Sequence, residues 1–189
     1  ENKKVENKKS LKIWKENKKK ILNDLSLIDD IKFWKKFNDI NNEMRQSIYV
    51  DIKSLIRVEL VKVLDVTLKD KFLLVGSNWK KYFPNALEDN YTGKYTENLY
   101  RGNICIDFGS KQSERCIYSR SCKIIESGGL LFQSINKDSK EIFKNLLDKT
   151  CFISVEDLKK KISFFLKNPD QIEKLLIIQQ KNFESEDYN

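Results

Sequence analysis

Arg120 stands in the first turn of a segment whose apolar spacing predicts a helix from Tyr118 to Ser127. Unsatisfied backbone N–H groups and the dipole at a helix start favour an anion, so a cation there needs a negative partner beside it. A bound diphosphate or an internal carboxylate would each meet that need, with Ser119 at the helix entry next to it. Lys80 and Lys81 follow an apolar run that ends at Gly76, and they either add positive charge to the same crevice or remain solvated surface lysines. Trp79 either caps a pocket or fills a core. Gly128-Gly129 closes the predicted helix as a tight turn, at which a ligand could also approach the backbone because no Cβ intervenes.

Other chemistries are excluded or weakened. The 189 residues contain no His, which removes His-dependent triads, HExxH zinc sites and imidazole general bases. The four cysteines, Cys105, Cys116, Cys122 and Cys151, show no CxxC spacing, and Cys105 and Cys151 lie in apolar runs as small buried hydrophobes. GxGxxG, GxxxxGK[ST] and GxSxG are all missing from the sequence. The net charge is +8, yet residues 1–20 alone hold nine Lys against three Glu. A basic N-terminal arm could touch phosphates, but the rest of the chain is close to neutral, unlike a nucleic-acid-binding body with its own basic patch. No specific nucleic acid is therefore expected as a partner. No secretory leader and no run of transmembrane length appear, so a cytoplasmic location is the expectation. The chain opens on Glu1, not Met, and reads as an excerpt of something longer.

The elements that must position these residues follow from periodicity. Residues 1–49 read as a basic, polar helical extension, loose over residues 1–9, and Ile48 to Leu64 as a clear amphipathic helix. Lys71-Phe-Leu-Leu-Val-Gly76, Asn103-Ile-Cys-Ile-Asp-Phe-Gly109, Leu130-Leu-Phe-Gln133 and Cys151-Phe-Ile-Ser154 read as strands. Helices alternate with them, including one opened by the capping box Ser154-Val-Glu-Asp157 and one after Pro169. The expected fold is therefore α/β, a Rossmann-like parallel sheet over residues 50–183 with flanking helices and an acidic tail at 184–189. Ligands of such sheets bind beyond the carboxyl ends of the strands, which points to Gly76 with Trp79, to Gly109-Ser110, and to the helix entry at Ser119.

The block Gly102 to Ser110, followed by Cys116 to Gln133 and by Val155-Glu-Asp-Leu-Lys-Lys-Lys-Ile-Ser-Phe-Phe-Leu-Lys-Asn-Pro169, resembles the C-terminal domain of GT-B glycosyltransferases. The closest subgroup is the spore-maturation-protein, glycosyl transferase group 1 type. The resemblance spans roughly residues 50–183. It implies a domain that holds a nucleotide-diphosphate sugar, with no metal or other cofactor, and an acceptor glycan or other acceptor held by an N-terminal domain upstream. On the matching positions it implies that Arg120 acts catalytically on the departing diphosphate and that Gly128 and Gly129 approach the donor. Lys123 stands where the family carries a ribose-binding Glu, and Glu126 lies one helical turn later on the same face. The alternative is a non-catalytic α/β interaction or regulatory module.

Overall fold

The computed structural model describes residues 2–76, 78–87, 94–108, 119–136 and 138–184. Gly109, Ser110 and Cys116, with the end of the acidic tail, lie outside the described residues.

The N-terminal half is helical. Helix α1 (Asn2–Asn23) begins at once, so the expected looseness over residues 1–9 gives way to helix at residues 2–9. Its apolar residues Ile13, Trp14 and Ile21 are buried. A 3-10 turn (Leu27–Asp29) and the short α2 (Ile31–Trp34) return the chain. Asp30 caps α2 by accepting from the Lys32 N–H at 2.8 Å. The Trp34 indole N–H reaches the Ile28 carbonyl at 2.7 Å, and the ring packs edge-on to Phe33. Helix α3 (Asn42–Leu68) starts on Asn41, whose side chain accepts from the Met44 N–H at 2.8 Å. One turn of such capping is worth about 1 kcal/mol.

α1 and α3 lie side by side and run in the same direction. Glu6 meets Ser47, Ser10 meets Asp51 and Lys18 meets Glu59, a constant offset of 41 residues. The boundary expected between residues 49 and 50 falls inside α3, and buried residues on both sides of it belong to one core cluster. The Leu25 N–H also bonds the Ile153 carbonyl at 2.8 Å, tying the end of the α1 region to the end of the sheet.

The second half supplies a three-stranded parallel sheet: β1 (Ile104–Asp107), β2 (Leu130–Ser134) and β3 (Cys151–Phe152), in the order β1-β2-β3. After β1 come the undescribed 109–118 stretch and α5 (Ser119–Glu126); α6 (Ser139–Phe143) and α7 (Leu147–Thr150) connect β2 to β3. The short α4 (Lys94–Tyr100) precedes β1. Helix α8 (Val155–Lys167) starts on Ser154, which accepts from the Asp157 N–H as the sequence implies. The Asp157 carboxylate reaches back to the Ile153 N–H, one residue before the cap. Helix α9 (Asp170–Glu184) closes the fold. Phe132 of β2 packs edge-on to Phe165 of α8, with ring centroids 5.5 Å apart.

Two departures from the expected α/β arrangement shape the site. β3 pairs with β2 only at Gln133 and Ser134. The unpaired edge at Leu131 is covered by the Gln179 side chain, which accepts from the Leu131 N–H at 2.9 Å and donates to its carbonyl at 3.1 Å. A side-chain amide thus stands in for a missing strand. The second departure corrects the expected first strand. Residues 71–76 do not join the sheet. Leu74 and Gly76 spend their hydrogen bonds on Leu87, forming an isolated bridge at Val75. In the parallel ladder Leu130 donates to Asn103, so Ile104 and Ile106 direct their backbone groups away from β2, toward a gap that the 72–75 segment faces from its far side.

Candidate functional site

The gap is a cavity of about 490 Å³ beside the open edge of β1. α3 contributes Arg57, Val61 and Leu64 to its wall, the 72–75 segment contributes Phe72 and Leu74, and α4 contributes Thr96 and Tyr100. Trp79, Asp107 and Arg120 complete the polar and aromatic part of the lining. Apolar side chains on α3 and β1 build the wall because each element presents its core-facing stripe there. At the carboxyl end of β1 the wall carries Asp107 and Arg120.

The best-defined of these groups is an ion pair. Arg120 donates through Nε to one Asp107 oxygen at 3.3 Å and through Nη2 to the other at 2.5 Å. The Ser121 hydroxyl donates to the same carboxylate at 2.6 Å. The Asp107 side chain is fully buried, whereas that of Arg120 is 32% exposed on the cavity side. A carboxylate in this position answers the question Arg120 poses: the anion beside the first turn of α5 is internal. Asp107 is the functional residue that residue-by-residue reasoning missed. Its signal was a lone charge inside the apolar run Ile104-Cys-Ile-Asp-Phe108, which must find a partner when buried.

Two further buried polar side chains, one on the cavity and one on β2, have no hydrogen-bond partner among the described residues. Thr96 is buried, lines the cavity, and its hydroxyl makes no hydrogen bond. Gln133 is fully buried on β2, and neither of its amide polar atoms is bonded. It is the register partner of Asp107, so the two side chains leave the same face of the sheet at its carboxyl end. Unpaired buried groups of this kind each cost on the order of 1–3 kcal/mol unless a ligand or water completes them.

Of the residues expected to form the site, Trp79 and Arg120 meet on this cavity. Gly109 and Ser110 lie outside the described residues, and the other expected residues are not part of its lining. Gly76 is buried with φ of 141°, a backbone conformation suited to glycine, and its N–H is held by Leu87. Lys80 and Ser119 are exposed. Lys123 pairs with Glu97 of α4 at 2.9 Å and not with Glu126, which is exposed at the end of α5. Gly128, with φ of 79°, and Gly129 end α5 through bonds to Ile125 and Ile124. A Cβ on Gly129 would lie 2.9 Å from the Tyr100 carbonyl and 3.1 Å from the Cys105 sulfur. That glycine is therefore required for the close approach of α5 to the start of β1.

Burial pushes the thiols of Cys105 and Cys151 up to about 12, which makes both inert as nucleophiles at neutral pH. Among the described residues no group of His, Cys, Asp and Glu could hold a metal ion, and no helix is long and apolar enough to cross a membrane. Comparison with protein-family models, with curated proteins and with solved structures gives no match.

Proposed function

We propose that this chain is the donor-binding domain of a GT-B-type glycosyltransferase and that a nucleotide-diphosphate sugar sits in the cavity beside β1. The observation that carries the reading is the convergence of Trp79 and Arg120, forty-one positions apart in the sequence, on one cavity beside a parallel strand. The chemistry of the wall suits such a ligand. Trp79 and Tyr100 offer aromatic surface for a base, and the unbonded Thr96 hydroxyl offers a hydrogen bond. Arg120, oriented by Asp107, brings positive charge to the cavity wall for the diphosphate. As the sugar departs, the positive charge of Arg120 would stabilise the charge that builds on the diphosphate. Lys123, bound to Glu97, supplies no ribose acceptor. Glu126 lies off the cavity, so the ribose contact falls to other groups of the wall. The acceptor would be held largely by a partner domain upstream.

Nuclear magnetic resonance titration of the chain with UDP, GDP, ADP and CMP tests the placement. The reading expects one nucleotide to shift the Trp79 indole and Arg120 Nε resonances together. Shifts confined to the exposed lysines of α1 would contradict it. One observation favours a second reading. Arg120 and Lys123 both have their charge met within the fold, as expected of a non-catalytic α/β module that has kept the architecture and given up donor binding. That reading expects no nucleotide to shift either resonance.

A further inference from the structure

Gln133 lies at the carboxyl end of β2, the central strand of the sheet. Asp107 of β1 is its register partner on one side and Cys151 of β3 on the other. Register partners in a parallel sheet send their side chains to the same face, and neighbouring strands lie about 4.8 Å apart. The glutamine is fully buried, and neither its amide nitrogen nor its amide oxygen is hydrogen-bonded. A buried amide without partners destabilises the arrangement it sits in. It acquires a use if a second arrangement of its neighbours supplies a partner.

The neighbours identify that arrangement. Cys151 offers a thiol, weak both as donor and as acceptor. Asp107 offers a carboxylate, which accepts from two Arg120 N–H groups and from the Ser121 hydroxyl. The Arg120 side chain is 32% exposed and lines the cavity, whereas Ser121 is fully buried. Arg120 is therefore the partner that can leave. When it turns from Asp107 to an anion in the cavity, the buried carboxylate loses its charge partner and two of its donors, which is strongly disfavoured. The Gln133 amide lowers that obstacle. Its terminal torsion is broad, and turning it presents an N–H to Asp107 across the strand pair. The carboxylate then accepts from Ser121 and Gln133, and the amide nitrogen gains the acceptor it lacks.

We propose that Gln133 is a relief partner for Asp107, a positioning residue that releases Arg120 from its ion pair when an anion enters the cavity. One polar cluster thus has two arrangements: Arg120 on Asp107 with Gln133 unbonded, and Gln133 on Asp107 with Arg120 turned into the cavity. The exchange reconciles an arginine whose charge is met within the fold with a role in holding a diphosphate. It rests on the donor-binding reading for the identity of the anion, while the exchange itself is a property of the chain alone.

A double-mutant cycle in urea unfolding of the full chain, followed by circular dichroism, tests the exchange without any ligand. Gln133→Met keeps the length of the side chain and removes the amide, so by itself it should leave the urea midpoint unchanged or raise it. Arg120→Ala should lower the midpoint, and lower it further in the Gln133→Met background, where nothing replaces the lost donors. Arg120→Ala should also shift the Gln133 side-chain amide resonances downfield, as a new bond to a carboxylate does. Arg120→Met, which keeps the apolar stem and removes the guanidinium, carries the same comparison if Arg120→Ala does not fold. Calorimetric titration with UDP, GDP, ADP and CMP reads the consequence: the nucleotide that binds the parent should bind Gln133→Met about tenfold more weakly. Where the parent binds a nucleotide, equal midpoint losses in the two backgrounds, or an affinity unchanged by Gln133→Met, overturn the proposal and leave the donor reading standing. Coupling in the cycle without binding of any nucleotide upholds the exchange and removes the donor reading instead. Equal losses with no nucleotide bound remove both.

Discussion

Arg120 and Asp107, thirteen residues apart, face each other across the carboxyl end of β1 as a two-point ion pair whose carboxylate is fully buried. The pair joins the first turn of α5 to the end of a strand. It also decides how Arg120 meets the cavity, with one edge of the guanidinium held inside the fold. A buried carboxylate that accepts from two side chains is strongly oriented, and the arginine inherits that orientation.

Removing the carboxylate should therefore damage the fold. Asp107→Ala leaves the Arg120 guanidinium and the Ser121 hydroxyl without their acceptor. Because Arg120 retains some access to water, the loss should be about 2–3 kcal/mol, below the range for a pair buried on both sides. Urea unfolding followed by circular dichroism measures it. Asp107→Asn keeps the shape and an acceptor, and should recover part of the loss.

The buried thiols give the stability a definite dependence at high pH. Cys105 and Cys151 are pushed by burial from an ordinary 9.0 up to about 12. The folded chain therefore holds two protons that the unfolded chain releases above pH 9. Stability from this source is complete below pH 9 and is lost as the pH rises toward 12, by at most about 1.4 kcal/mol per pH unit for each thiol. Comparing urea midpoints at pH 8 and pH 10.5 for the parent and for Cys105→Ala isolates one of the two contributions. The variant should lose less stability between those pH values than the parent does.

The open edge of β1 has its own signature. Cys105 and Asp107 direct their N–H groups to β2, whereas Ile104 and Ile106 direct theirs toward the cavity. Amide hydrogen exchange should alternate along the strand, slow at Cys105 and Asp107 and fast at Ile104 and Ile106. Uniform protection would mean that the 72–75 segment pairs with β1.

Much of this architecture was legible in the residues, for identifiable reasons. The three strands of the sheet announce themselves as short apolar runs. The Ser154 cap and the Gly128-Gly129 turn depend on local rules that hold whatever packs nearby. Phe72-Leu-Leu-Val75 has the same local character as a strand, yet does not join the sheet. Its outcome depends on whether backbone groups at Leu74 and Gly76 meet Leu87 or β1, a choice between distant partners that no local pattern encodes. The site was half legible for the same reason. Arg120 betrays itself by sitting at the wrong end of a helix. That its anion is Asp107 follows only from the packing of α5 against β1. Trp79 could be named but not placed, since its position on the cavity depends on how the chain after residue 72 lies against α3 and β1.

The central claim is that Trp79 and Arg120 hold one nucleotide between them. Calorimetric titration with UDP, GDP, ADP and CMP, carried out on the parent chain, on Arg120→Ala and on Trp79→Ala, addresses it most directly. The account predicts saturable binding of one nucleotide, abolished in Arg120→Ala and weakened about tenfold or more in Trp79→Ala while circular dichroism shows both variants folded. Absence of binding by all four at millimolar concentration, or binding that both variants retain unchanged, would contradict it.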